Sequence, residues 1–290
     1  MIGAGGVAEV YRVAHVDDPR SVAALKVMRR ERQADKRHLQ DFQHEFELLG
    51  QLRHPGIPAA RRIGEIDGRA CMLMDLVPGT TLAAEVSART TRAAPALYAR
   101  LVGIVSYLHQ EGIVHNDLKL ENVIHDAGSD HLALVDFGNA RAPIRTSLFR
   151  RFLPKPKTVF GSTTYIAPEL TAGHQPTFAS DVYALGICAF QLFADALPFP
   201  ARATQRVRKG AATVRAIQDH LPGLAQPAAR AIDACLDPSP MGRPQSAVEL
   251  HGAIACLATM EEQGRTTRTK RTKRTSRRVA LEPRAGHLGR

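Results

Sequence analysis

The stretch HNDLKLENVIHDAGSDHLALVDFG, running from His115 to Gly138, constrains this chain more than any other. It sets three oxygen-bearing side chains, Asp117, Asn122 and Asp136, at fixed spacing among short apolar runs. Ile113-Val114, Val123-Ile124 and the run from Leu132 to Val135 are β-branched or aliphatic and short enough to be strands. Between the last two, Asp126-Ala127-Gly128-Ser129-Asp130 is a turn-forming cluster that predicts a hairpin loop. Asp117 and Asn122 are thereby placed on the loop between two strands, and Asp136 just after the next one. Two carboxylates and an amide at strand ends suit a hard cation with oxygen ligands, and so Mg2+ and phosphate chemistry. A polar loop followed by a surface hairpin would read the same way. The rest of the chain decides.

Upstream, Val22-Ala23-Ala24-Leu25-Lys26-Val27-Met28 is an apolar run with one lysine inside it. A cation in a buried strand is costly unless something neutralises it. Leu39, Phe42, Phe46 and Leu49 recur at spacings of three and four, which predicts an amphipathic helix. Glu45 falls on the apolar face of that helix and Glu47 on the wet one. An inward Glu45 and an inward Lys26 are most economically a pair; two side chains snorkelling at the core's margin are the bland alternative. Before them, in IGAGGVAEVYRVAHV, Gly3, Gly5 and Gly6 allow backbone N–H groups to approach phosphate oxygens. Such glycines also occur in plain turns, so this signal is weak alone. Val10, Arg12 and Val16 continue it as strand.

The 290 residues are 44% hydrophobic and 23% charged, as in globular proteins, and allow one or two domains. Cys71, Cys188, Cys235 and Cys256 form no CxxC pair, so reduced thiols of a cytoplasmic protein are expected. No apolar run is long enough for a membrane span; Val182 to Ala194 is too short and reads as a buried helix. Cys71 to Val77 is a further strand, ended by Pro78-Gly79, and closes a small α+β lobe over residues 1–77. Helices are expected near Ala94–Gly112, Ser180–Ala194, Pro227–Leu236 and Gln245–Leu257. An irregular stretch rich in proline lies between Asp136 and Glu169. The net charge of +11 is uneven: residues 259–290 hold ten Lys and Arg against three Glu, +7 of the total. That tail, with RTTRTKRTKRTSRR at its centre, has no apolar periodicity and reads as disordered.

Taken together these residues resemble the eukaryotic-type (Hanks-type) Ser/Thr protein kinases, particularly the bacterial members, over residues 1–258. The motifs stand in the family's order. Gly3, Ala4, Gly5, Gly6 and Val10 look like the glycine-rich loop, with Ala8 in place of a third glycine. Ala24 and Lys26 match the strand that holds the α- and β-phosphates, and Glu45 matches the helix partner. Met74, Asp75 and Val77 look like the gatekeeper and hinge that meet adenine. His115-Asn116-Asp117-Leu118-Lys119 through Asn122 matches the catalytic loop. Asp136-Phe137-Gly138 and Ala167-Pro168-Glu169 match the DFG and APE triplets. Asp181, with Gly186 behind it, matches the aspartate of the central helix, and Arg243 the arginine that pairs with Glu169.

The resemblance implies an α+β, bilobal kinase-like fold, with a small β-rich N-lobe over 1–77 and a larger helical C-lobe over 78–258. It implies ATP with Mg2+ or Mn2+ as cofactors, and protein substrates with Ser or Thr acceptors, the chain itself included. Asp117 would orient the acceptor hydroxyl and take its proton, with Lys119 near the γ-phosphate. Lys26, held by Glu45, would grip the phosphates, and Asn122 and Asp136 would be the metal ligands. Lys119 and Gly161-Ser162-Thr163-Thr164-Tyr165 resemble the Ser/Thr rather than the Tyr pattern, with Ser162 bonding Asp117 and Lys119.

Three departures from the family matter. Asn116 stands where regulated kinases carry Arg, and a neutral amide cannot make the bidentate contact to a phosphorylated loop. Only Met1 and Ile2 precede the glycine loop, so the first strand, central in the family's sheet on this reading, is truncated unless the true start lies upstream. The basic tail is not required by the kinase pattern; nucleic acid or an anionic surface is the partner its charge suits, and a solvated end is the alternative. Two other functions share part of the pattern. A small-molecule phosphotransferase of the aminoglycoside-kinase type has the His-x-Asp…Asn loop, but Lys119, the DFG triplet and Gly161 to Glu169 oppose it. A pseudokinase would fit the truncated start, but Lys26, Glu45, Asp117, Asn122 and Asp136 are all present.

Overall fold

The computed structural model describes residues 1–91, 93–141, 164–199, 216–255 and 257. Strands β1 (Gly3–Ala4), β2 (Ala8–Ala14), β3 (Val22–Met28), β4 (Ala60–Ile66) and β5 (Arg69–Met74) form an antiparallel sheet in the order β1-β2-β3-β5-β4. The central strand is β3, where Lys26 stands opposite Val10 on one side and Met72 on the other. The two-residue β1 pairs only at Gly3–Val10 and Ala4–Glu9. This corrects one expectation: β1 lies at the edge of the sheet, not in its middle, so its shortness leaves β2 and β3 fully paired.

Helix α1 (Lys36–Gln51) packs against β4. Asp35 caps it by accepting the Arg37 N–H, and the 3.6-residue period turns Phe42, Glu45, Leu48 and Leu49 inward. Ile113-Val114, expected as a strand, is among the described residues a single bridge from Val114 to Arg141. Strand β6 (Thr80–Thr81) joins β7 (Val123–Asp126) and β8 (His131–Leu134) in a second, three-stranded sheet. The β7–β8 turn is the expected one, tightened by Asp126, which accepts from Gly128 N and Ser129 Oγ.

Below that hairpin lie α2 (Leu82–Ser87), α3 (Ala94–Gln110), α4 (Pro168–Thr171), α5 (Phe178–Ala194), α6 (Gln226–Cys235) and α7 (Ala247–Ile254). Leu97, Leu101, Ile104, Val105 and Leu108 of α3 are buried, facing α5, α7 and β8. The helix ends where Gly112 takes φ +75°: its N–H bonds His109 O, and the Ile113 N–H bonds Leu108 O. A glycine meets that left-handed geometry without strain. Helix α5 is apolar nearly all round and runs through the core. Its Gly186 lets α6 approach so closely that an added Cβ would sit 2.8 Å from Leu236 Cδ2. Cys71, Cys188 and Cys235 are buried free thiols. No helix among the described residues is long and apolar enough to cross a membrane.

Candidate active site

Lys26 is the meeting point of three chain segments. Its Nζ lies 2.7 Å from both carboxylate oxygens of Glu45 and 3.1 Å from Asp136 Oδ1. Burial works against the lysine's charge, but the two carboxylates outweigh it and hold the ammonium above its usual range. Lys26 in turn keeps the Asp136 carboxyl below the usual carboxylate range. Glu45 is 2% exposed, and that burial pushes its carboxyl up against the pull of Lys26. Asp136 has φ +65°, a left-handed conformation that costs a non-glycine residue free energy and aims its carboxylate at Lys26.

On the loop after Val114, Lys119 Nζ bonds Asp117 Oδ2 at 2.8 Å. Asn122 donates its amide to Asp117 O at 2.9 Å and to Asp117 Oδ2 at 3.2 Å. With both amide hydrogens spent there, the Asn122 side-chain oxygen is the end left for a ligand. The loop is anchored from below: Asp181 of α5 accepts the backbone N–H groups of His115 and Asn116 at 2.7 and 2.9 Å. His115 is fully buried and packs edge-on to the Phe137 ring at 4.9 Å, which ties the loop to the Asp136-Phe137-Gly138 triplet. Burial lowers its pKa, Nδ1 accepts the Asp117 N–H at 3.4 Å, and Nε2 is buried with no hydrogen-bond partner among the described residues.

At the first turn, the Gly5 N–H bonds Ala8 O, while Arg29 and Arg32 donate to Gly5 O and Gly6 O. Gly6 has open space where a Cβ would stand. Ala4, Gly5 and Gly6 are exposed, and Val10 half-buried, on the sheet that carries Lys26. Ala24 and Met74 face each other across β3 and β5 and are both buried. Asp75 and Val77 continue the chain beyond β5. The Asp75 N–H bonds Ala59 O, and its carboxylate takes Arg61 Nε.

The site therefore gathers Lys26, Glu45 and Asp136 into one cluster and Asp117, Lys119 and Asn122 into another, linked through His115 and Phe137. Among the described residues no three His, Cys, Asp or Glu side chains converge to hold a metal. An oxygen pair such as Asn122 and Asp136 suits a cation that takes its remaining ligands from phosphate and water, as Mg2+ does. Farther down, Arg243 pairs with Glu169, and the Tyr165 hydroxyl bonds Glu121. Thr158, Gly161, Ser162 and Thr163, with the expected contacts of Ser162, lie outside the described residues, as do Cys256 and the basic tail.

Three side chains near the cluster carry no sequence signal. Arg141 reaches Asp41 of α1, and His44 Nε2 lies 3.2 Å from Ala140 O. Arg141 and Asp41 are 100 residues apart, and each alone looks like an ordinary surface charge.

Residues 1–254 match the protein kinase domain family. The chain is 33% identical over 267 residues to the serine/threonine-protein kinase PknJ of Mycobacterium tuberculosis, covering 89% of this chain and 44% of that protein. It is 32% identical to the serine/threonine-protein kinase PrkC of Bacillus subtilis, covering 69% of this chain and 30% of PrkC. The chain thus spans less than half the length of these curated relatives. Among solved structures, the PknI kinase domain of Mycobacterium tuberculosis superposes with a TM-score of 0.64 at 28% identity, covering 89% of this chain and 94% of that one.

Proposed function

This chain belongs to the protein kinase domain family, and from that membership we propose that it transfers the γ-phosphoryl group of ATP to Ser and Thr hydroxyls of proteins. The observation that carries the proposal is Lys26, shared between Glu45 and Asp136 from segments up to 110 residues apart. Phosphoryl transfer needs little covalent help from a protein; it needs positioning and neutralisation of charge on the phosphates. Lys26 supplies a fixed positive charge for the α- and β-phosphates, and Glu45 keeps its side chain extended into the site. Gly3, Ala4, Gly5 and Gly6 offer backbone to the phosphates under Val10, while Ala24, Met74, Asp75 and Val77 border the adenine. Asn122 and Asp136 hold Mg2+ or Mn2+, which neutralises phosphate charge when bound. Asp117 orients the acceptor hydroxyl and receives its proton as the new O–P bond forms and the bond from the γ-phosphorus to the β-phosphate oxygen breaks, releasing ADP. Lys119, already on Asp117, offsets charge at the γ-phosphate.

The substrates are proteins with exposed Ser or Thr, the chain's own hydroxyls among them, and the cytoplasm, which holds ATP, is the compartment this reading requires. The decisive assay follows γ-phosphate from labelled ATP into protein acceptors and into small-molecule acceptors side by side, with Asp136→Asn as control. Transfer to aminoglycosides alone, or undiminished transfer by Asp136→Asn, would sink the proposal. The density of Lys and Arg in residues 259–290 supports a contact with nucleic acid or an anionic surface. An affinity that ignores salt, or survives deletion of 259–290, would dismiss that contact.

A further inference from the structure

Helix α1 carries Glu45, and nothing in the Lys26–Glu45 pair itself stops the helix from turning or swinging away. Asp41 sits one turn before Glu45, on the same side of α1. It takes the Arg141 guanidinium, whose other nitrogen donates to Gly138 O at 3.1 Å and Ala140 O at 2.7 Å. His44, between Asp41 and Glu45, meets Ala140 O at 3.2 Å. The Arg141 backbone also pairs with Val114 in both directions, at 2.8 and 2.9 Å, immediately before His115-Asn116-Asp117. Arg141 therefore touches all three parts of the site: the helix of Glu45, the triplet of Asp136 and the loop of Asp117. Asn116 has its N–H on Asp181 and a neutral side chain, so it offers a phosphate no bidentate cationic contact at this place.

We propose that Asp41 and Arg141 are positioning residues: their ion pair fixes α1 to the segment behind Asp136-Phe137-Gly138, holding Glu45 on Lys26 without a phosphate group. The proposal rests on the kinase reading above. The pair is 37–40% exposed, so it adds little to global stability, and its loss loosens α1 without unfolding the chain.

The test is a double-mutant cycle in the full chain: Asp41→Asn, Arg141→Gln and both together. Two quantities are read: kcat/KM for ATP with a Ser/Thr peptide, and hydrogen exchange of α1 amides in nucleotide-free protein. Each single variant is expected to lower kcat/KM about threefold to tenfold and to speed α1 exchange, with the double variant no worse than the poorer single. Losses that multiply in the double variant, or unchanged α1 exchange in both singles, overturn the proposal. Asp136→Asn in the same assay separates the two readings. If it is inactive while the cycle shows no coupling, the positioning role fails and the kinase reading stands. If the unmodified chain transfers no phosphate, the kinase reading fails, and coupling in α1 exchange alone decides the ion pair.

Discussion

Arg243 grips Glu169 with both terminal guanidinium nitrogens, each 2.8 Å from a carboxylate oxygen, across 74 positions of chain. The two are 3% and 9% exposed, and the guanidinium also donates to Asp237 O, Ala179 O and Pro238 O and lies over the Tyr183 ring at 4.8 Å. Removing either partner strands a buried charge, which costs about 3–5 kcal/mol. Arg243→Ala and Glu169→Ala are therefore expected to lower the urea midpoint steeply. Arg243→Lys should recover little, because an ammonium cannot reproduce the two parallel bonds. A loss under about 1 kcal/mol for Glu169→Ala would count against this account.

Lys26 and Glu45 separate stability from chemistry. Lys26→Met leaves the Glu45 carboxylate buried without its cation, so it should destabilise the small lobe and abolish transfer together. Adding Glu45→Gln removes the stranded charge and should return much of the stability while activity stays absent. Asp117→Asn, at a side chain that is 20% exposed and keeps its shape in the amide, should change the melting temperature little and cut phosphoryl transfer about 10²- to 10⁴-fold. Thermal melts and transfer rates on the same preparations check both statements; a Lys26→Met, Glu45→Gln chain that still phosphorylates would refute the role given to Lys26.

What could be read from the sequence, and what could not, follows from the range of the interactions. Glu45 was legible because a helix repeats every 3.6 residues, and only one phase buries Phe42 and Leu49. Lys26 was legible because a cation inside Val22–Met28 demands a partner. Strand β4 was not found: its sequence ARRIGEI turns only Ala60 and Ile63 even partly inward, so it lacks the alternation of a half-buried strand. Helix α2 was missed as well, being six residues long with its N-cap at Thr81. The Asp41–Arg141 contact escaped for another reason. Two surface charges 100 residues apart meet only after the fold is made, and no local pattern announces it.

Asn116 has a consequence for regulation. It puts a neutral amide, not an arginine, beside Asp117, and so offers a phosphate on the loop before Glu169 no bidentate, charge-assisted contact. Replacing Thr158 and Thr163 by alanine is expected to change kcat/KM less than about threefold, and phosphatase treatment of the unmodified chain likewise. Abolished activity with an unchanged melting curve would show that the loop hydroxyls do act as a switch.

His115 makes stability depend on pH. Folded, it is buried against Phe137 and its Nδ1 already accepts the Asp117 N–H, so a second proton would break that bond and charge a dry site. Burial accordingly places its folded pKa below the usual 6.5. Unfolded, the ring takes a proton near that usual value, so at mildly acidic pH the unfolded chain binds more protons than the folded one. Stability is thus fully present at neutral pH and is lost as pH falls below about 6.5, with a slope of at most about 1.4 kcal/mol per pH unit from this residue. His54, whose pKa burial also lowers, contributes with the same sign. Asp136, held low by Lys26, loses its contribution only in more acidic solution. His115→Phe keeps an aromatic ring against Phe137 and has nothing to titrate. Urea midpoints followed from about pH 7.5 to 5.5 should therefore fall less for His115→Phe than for the unmodified chain, the difference opening below about pH 6.5. Parallel curves would mean that His115 carries its proton in the folded state too.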